Sequence, residues 1–95
     1  MPRRLHRKHF RERMPPGSRG VARPSRWGNP HDWRTLGRAE AVRRFEYDLA
    51  HMPAAERRAW LAPLRGKDLW CYCPLDQPCH ADVLLRWTNE ETASP

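Results

Sequence analysis

Long apolar runs are missing from this 95-residue chain. None approaches the ~20 residues that a membrane-spanning helix needs, so no membrane partner is expected. Cysteine is scarce. Three residues, an odd number, exclude a fully paired disulfide framework. No apolar stretch follows the charged N-terminus, so this segment does not read as a secretory signal, and a reducing, cytoplasmic setting is expected. Glycine-rich phosphate-loop and dinucleotide spacings are absent. Phenylalanine and tyrosine number two each, so a thin core leans on five tryptophans. Acid is nearly missing from the first 26 residues, where Glu12 stands against nine Lys or Arg.

That last absence makes the charge lopsided. Residues 1–26 carry +8 and residues 27–95 carry −1, for a net +7. Sixteen of the eighteen basic residues are Arg, the side chain whose planar fork suits bidentate phosphate contact. A basic arm of this kind fits nucleic-acid backbone binding through Arg3, Arg4, Arg7, Lys8, Arg11 and Arg13. A solvated arm on a neutral body is the equally open reading.

Met14-Pro-Pro-Gly-Ser18 ends the arm as a turn or linker. Arg19 to Arg23 reads as a short strand, and Pro24 to Pro30 as a loop. Arg38 to Ala50 is an amphipathic helix with Val42, Phe45 and Leu49 on one face. Pro53 opens a second helix through Leu61, which Pro63 and Gly66 stop. Asp68 to Cys73 is nearly all apolar and bounded by Gly66 and Pro74, the look of a strand covered on both faces. A last helix starts near Cys79, runs to about Asn89 and buries Val83, Leu84 and Trp87. Strands joined through helices are parallel with a right-handed crossover. The loops after them then share the carboxyl edge of the sheet, where open α/β folds bind ligands.

The chemistry concentrates in one place. Cys71, Cys73, Cys79 and His80 lie within ten residues. Three readings of them stay open. In the first, all four form a Cys3His zinc set. The C-x-C-x5-C-H spacing is not that of a standard finger, knuckle or ribbon. On one strand face Cys71 and Cys73 would stand ~7 Å apart, whereas sulfurs on one zinc stand about 3.8 Å apart, given bonds of ~2.3 Å. A bend before Pro74 would close that gap. In the second, Cys79 at a helix start is a reactive thiolate, His80 or His31 is its base and Asp82 orients the histidine. In the third, the cysteines are small hydrophobes packed in the core.

The loop Arg23-Pro-Ser-Arg-Trp-Gly-Asn-Pro30 has two readings as well. Arg23, Ser25, Arg26, Trp27, Gly28 and Asn29 could cradle a phosphate or amide. Alternatively, Trp27 plugs the core and Gly28-Asn29 makes a turn. Trp33, among polar residues, is the better candidate for an exposed aromatic that stacks on a base. The basic positions of the 38–50 helix read as a solvated face.

Three blocks in this order, Arg-Pro-Ser-Arg-Trp-Gly-Asn-Pro at 23–30, Leu-Arg-Gly-Lys-Asp-Leu at 64–69 and Cys-Tyr-Cys-Pro…Pro-Cys-His-Ala-Asp-Val-Leu at 71–84, resemble a family of small bacterial and phage proteins catalogued as domain of unknown function 4326. The resemblance covers about Met14 to Asn89. Tyr72 stands where the family has Trp, Ala81 where it has Gly, and His31 where it has an aromatic. The resemblance implies a fold and brings no established activity.

The expected fold is therefore a small single α/β domain, with a short parallel sheet and about three helices. Residues 1–18 form a basic N-terminal arm and linker, residues 19–89 the compact domain, and residues 90–95 a tail that frays. The expected function is binding, with or without processing, of a nucleotide or nucleic acid in a pocket between the 24–30 loop and the Cys79-His80 helix start. The alternatives are a zinc-stabilised adaptor whose tryptophans contact a protein partner, and a thiol enzyme dependent on Cys79.

Overall fold

The computed structural model describes residues 2–93, with side chains placed as far as residue 89. Strands β1 (Arg4–His6), β2 (Arg19–Gly20) and β3 (Leu69–Cys71) form one sheet in the order β1-β3-β2, and both pairs are parallel. β3 is central because its sequence allows it. Leu69 and Cys71 are buried, and the ladder bonds of this short strand are taken up on both sides. Arg7 N–H donates to Cys71 O at 2.9 Å on one side, and Val21 N–H to Trp70 O at 3.0 Å on the other.

The crossover from β2 to β3 runs through α1 (Trp33–Leu36), α2 (Arg38–His51), α3 (Ala54–Leu61) and a 3-10 turn at Ala62–Leu64. α1 was not expected from the sequence. Asp32 caps it, accepting from Arg34 N–H at 2.9 Å, which is the role of a short acid at a helix start. Gly37, at φ +85°, ends α1 and leads into α2, a backbone conformation that suits glycine. α2 buries Ala41, Phe45 and Leu49, one position in four along a single face. α4 (His80–Ala93) runs past the expected stop near Asn89, so 90–93 continue the helix. The last two positions of the expected tail lie outside the described residues. The core joins Val21 and Leu69 of the sheet region to Phe45, Leu49, Leu61 and Leu84 of the helices. Each fully buried aliphatic among them contributes about 1.5–3 kcal/mol.

The largest departure from expectation is at the N-terminus. Residues 4–6 do not stand off as an arm; they are an edge strand of the sheet. A three-residue strand with one apolar residue, Leu5, carries no readable periodicity, and its pairing depends on β3, more than sixty residues away. Nor does Arg4 offer its charge to a phosphate. Its guanidinium donates to the carbonyls of Pro74 (3.2 Å), Leu75 (2.6 Å) and Gln77 (3.0 Å) and to Asp82 Oδ2 (3.0 Å), and its side chain is 7% exposed. Arg7 is likewise engaged: its guanidinium carbon lies 4.6 Å from the Trp70 ring centroid, and Nη2 donates to Phe10 O. Lys8, Arg11 and Arg13 remain exposed in the connection to β2.

Three substitutions test this arrangement. A Cβ at Gly20 would stand 2.3 Å from the Trp70 ring, so Gly20→Ala is expected to lower stability by about 1–3 kcal/mol, as overpacking does, read as a fall in melting temperature. Arg4→Ala removes charged hydrogen bonds near the surface and is expected to cost about 1.5–3 kcal/mol. Arg3→Ala, on the exposed neighbour, should change stability by no more than about 0.5 kcal/mol.

Candidate metal centre and its cavity

The site is made where the central strand stops. β3 ends at Cys71, and the chain bends through Tyr72 and Cys73 before Pro74, whose ring cannot donate to a ladder. The bend overrides the ~7 Å expected for an extended strand: Cys71 Sγ lies 3.8 Å from Cys73 Sγ. The start of α4 brings in the third thiol, and the sulfurs of Cys71, Cys73 and Cys79 all lie within 4.8 Å of one another. Cys71 and Cys79 are buried, while Cys73 is partly exposed.

His80 stands beside this group without joining it. Its Nε2 is 2.7 Å from Val21 O. A carbonyl only accepts, so Nε2 carries the proton and Nδ1 keeps its lone pair. Nδ1 lies 3.8 Å from Cys79 Sγ. The ring packs edge-on against Phe45, 5.2 Å between centroids, and is 6% exposed. Burial pushes its pKa below the ordinary histidine value, so the imidazole is neutral at pH 7.

The three thiols titrate together. Hydrogen bonds from Cys71 and then Cys79 hold the Cys73 thiol far below its ordinary value, with the charge of Arg38 adding to the effect. Cys71 is pushed up chiefly by its bond to Cys73, and Cys79 by its contacts with Cys71 and Cys73. The cluster thus favours one thiolate at Cys73, the sulfur nearest solvent. The sequence pointed instead to Cys79, which lies 1% exposed.

A cavity of about 360 Å3 adjoins the sulfurs. Ala22, Arg23 and Asn29 border it from the loop after β2, and Cys73, Pro78, Cys79 and His80 from the loop after β3. Parallel pairing puts both loops at the same edge.

The residues expected to bind ligand divide. Arg23 and Asn29 border the cavity, with Arg23 Nε donating to Asn29 O at 2.6 Å. Asn29 pins the loop to α2 by donating to Ala41 O at 2.9 Å. Trp27 belongs to the core: it is 2% exposed, and Nε1 donates to Trp60 O at 2.9 Å. Arg26 and Gly28 border a separate hollow against Phe45 and Trp60. The Ser25 hydroxyl is buried with no hydrogen-bond partner among the described residues and borders neither space. Asp82 does not orient a histidine, because its carboxylate takes Arg4. His31 borders the cavity, but its Nε2 is held 2.7 Å from Asp48 Oδ2.

Sequence reasoning missed Arg34 and Arg38, which border the cavity beside Trp33. Arg38 belongs to the helix whose basic positions read as a solvated face, and Arg34 precedes it. Only the fold of α1 against α2 brings both to the cavity. The one signal available was Trp33, an apolar ring among polar residues.

The neutral, buried His80 has a consequence for pH. Its folded pKa lies below the unfolded value of about 6.5, so the unfolded chain binds the extra proton between the two values. The stability it supports is complete above about pH 6.5 and falls as pH drops toward the folded value. In metal-free protein, the melting temperature is expected to decline below pH 6.5. His80→Gln, which keeps a donor for Val21 O, should flatten that decline.

Comparison with known proteins adds one match. A family model described as domain of unknown function (DUF4326) covers residues 5–90. No curated protein and no solved structure matches the chain. All three cysteines, His80 and both loops that border the cavity fall within the matched span, and the chain belongs to the DUF4326 family.

Proposed function

We propose that this domain binds one zinc ion on the thiolates of Cys71, Cys73 and Cys79 and presents it to a ligand in the adjoining cavity. The spacing of the sulfurs carries this reading. All lie within 4.8 Å of one another, and one pair stands at 3.8 Å. That is the separation two sulfurs have on a tetrahedral zinc with ~2.3 Å bonds. Thiolate sets select soft and borderline ions and disfavour magnesium or calcium.

His80 stands beside the ligand set with its N–H spent on Val21 O, and the close group contains sulfurs only. Three protein donors and one free position are the pattern of zinc sites that exchange a ligand rather than only hold a fold. Nucleic-acid binding through the N-terminal arginines has less support, since Arg4 and Arg7 are already engaged within the domain.

Metal analysis of freshly purified, untagged protein is expected to give one zinc per chain. Cys73→Ser should lose it, and His80→Gln should keep it. Saturation at a hundredfold excess over Kd adds about 2.7 kcal/mol, so chelation should lower the melting temperature by roughly 10–20 °C for a domain of this size. A chain that takes up no zinc and melts alike with and without chelator would overturn the proposal. Cys73 would then be a reactive thiolate, alkylated faster than Cys71 and Cys79.

A further inference from the structure

We infer that the cavity is a phosphate-monoester site of mononucleotide size, with Arg34 and Arg38 as its phosphate-binding residues. The inference deepens the zinc reading and rests on it only for the floor of the cavity. The arginine wall stands on its own observations.

Three arginines, Arg23, Arg34 and Arg38, line the space together with a single acidic residue, Asp32. Its carboxylate is committed to the start of α1: Oδ1 accepts from Arg34 N–H at 2.9 Å and Oδ2 from the Thr35 hydroxyl at 3.3 Å. Neither Arg34 nor Arg38 has a carboxylate partner among the described residues. Elsewhere, several arginines of this chain do find acids, as Arg4, Arg43, Arg44 and Arg86 show. Unpaired cations gathered on one wall of a cavity call for an anion.

The wall is also organised in advance. The Arg38 guanidinium carbon lies 4.0 Å from the Trp33 ring centroid and that of Arg34 5.7 Å from it. A guanidinium held against an aromatic face keeps its N–H edge free to donate. Arg23 spends Nε on Asn29 O, which leaves its terminal nitrogens. Phosphate oxygens match such forks bidentately.

Size and the remaining lining narrow the class. About 360 Å3 lies at the small end of ligand cavities and is too little for a duplex or a run of nucleotides. Ala22, Ala41, Val42 and Pro78 supply an apolar side. Trp33 and Tyr72, 43% and 41% exposed, stand at the rim, where a base could stack. A single nucleoside monophosphate satisfies the charge, the apolar side and the volume together.

Isothermal titration of the full-length protein with adenosine, guanosine, cytidine and uridine 5′-monophosphates at low salt tests this, with inorganic phosphate as the comparison and zinc content recorded for each sample. At least one nucleotide should bind, at least tenfold more tightly than phosphate. Arg34→Ala and Arg38→Ala should each weaken it at least tenfold with unchanged melting temperature, and Arg38→Lys should restore part of the loss. Zinc-loaded protein that binds no nucleotide would overturn the inference and leave the zinc reading standing. Zinc-free, folded protein that binds with the same arginine dependence would uphold the inference and sink the zinc reading. Phosphate binding as tightly as any nucleotide, or binding indifferent to both arginine variants, would overturn it. So would affinity confined to single-stranded oligonucleotides and lost on replacing Lys8, Arg11 and Arg13 with alanine.

Discussion

The domain depends on one guanidinium. Arg4 sits at the start of an edge strand and reaches the three carbonyls of Pro74, Leu75 and Gln77 and the carboxylate of Asp82. Its backbone belongs to β1, and its donors fix the loop that follows β3. A proline-rich loop has few N–H groups with which to organise itself, so its carbonyls need an outside donor. Arg supplies several in one plane. With the loop fixed, Cys79 and His80 are delivered to the start of α4 at a set distance from the end of β3.

Everything chemical about the site follows from that delivery. The central strand places Cys71, the bend before Pro74 turns Cys73 back, and α4 adds Cys79. Three sulfurs so close and so little hydrated cannot all ionise without a cation, because like charges in a poorly solvated place repel. Without a cation, Cys71 and Cys79 keep their protons and the charge sits on Cys73. A divalent ion would offset two of three thiolate charges and leave the group at −1. The neutral His80 beside them, tied to Val21, stiffens the edge where the two loops meet.

Beyond the sulfurs, the electrostatics change sign. Arg23, Arg34 and Arg38 reach the cavity from three separate places: the loop after β2, α1 and α2. The acid among them caps a helix. The arrangement places soft ligands at one side of a small cavity and hard cations at another, joined by apolar residues, as in sites that recognise a ligand by more than one of its ends.

Much of this was legible in order. The apolar run at 69–71, the amphipathic α2, the helix from Pro53 and the one near Cys79 show in the sequence because burial imposes periodicity on residues close in the chain. So does the pairing of β2 with β3 through helices, which parallel topology demands. The cysteine–histidine motif announced soft-ligand chemistry by residue type alone. Other features were decided only in three dimensions. Arg4–His6 is a strand because β3 is there to receive it, and Trp27 is core because Trp60 accepts its N–H. Cys71 and Cys73 are neighbours because Pro74 ends the strand. Arg34 and Arg38 face a cavity because α1 folds against α2. Sequence determines local propensity and chemical kind, since these depend on each residue and its near neighbours. Distances between sulfurs and the partners of arginines depend on segments far apart in the chain, and those are set only when the sheet closes.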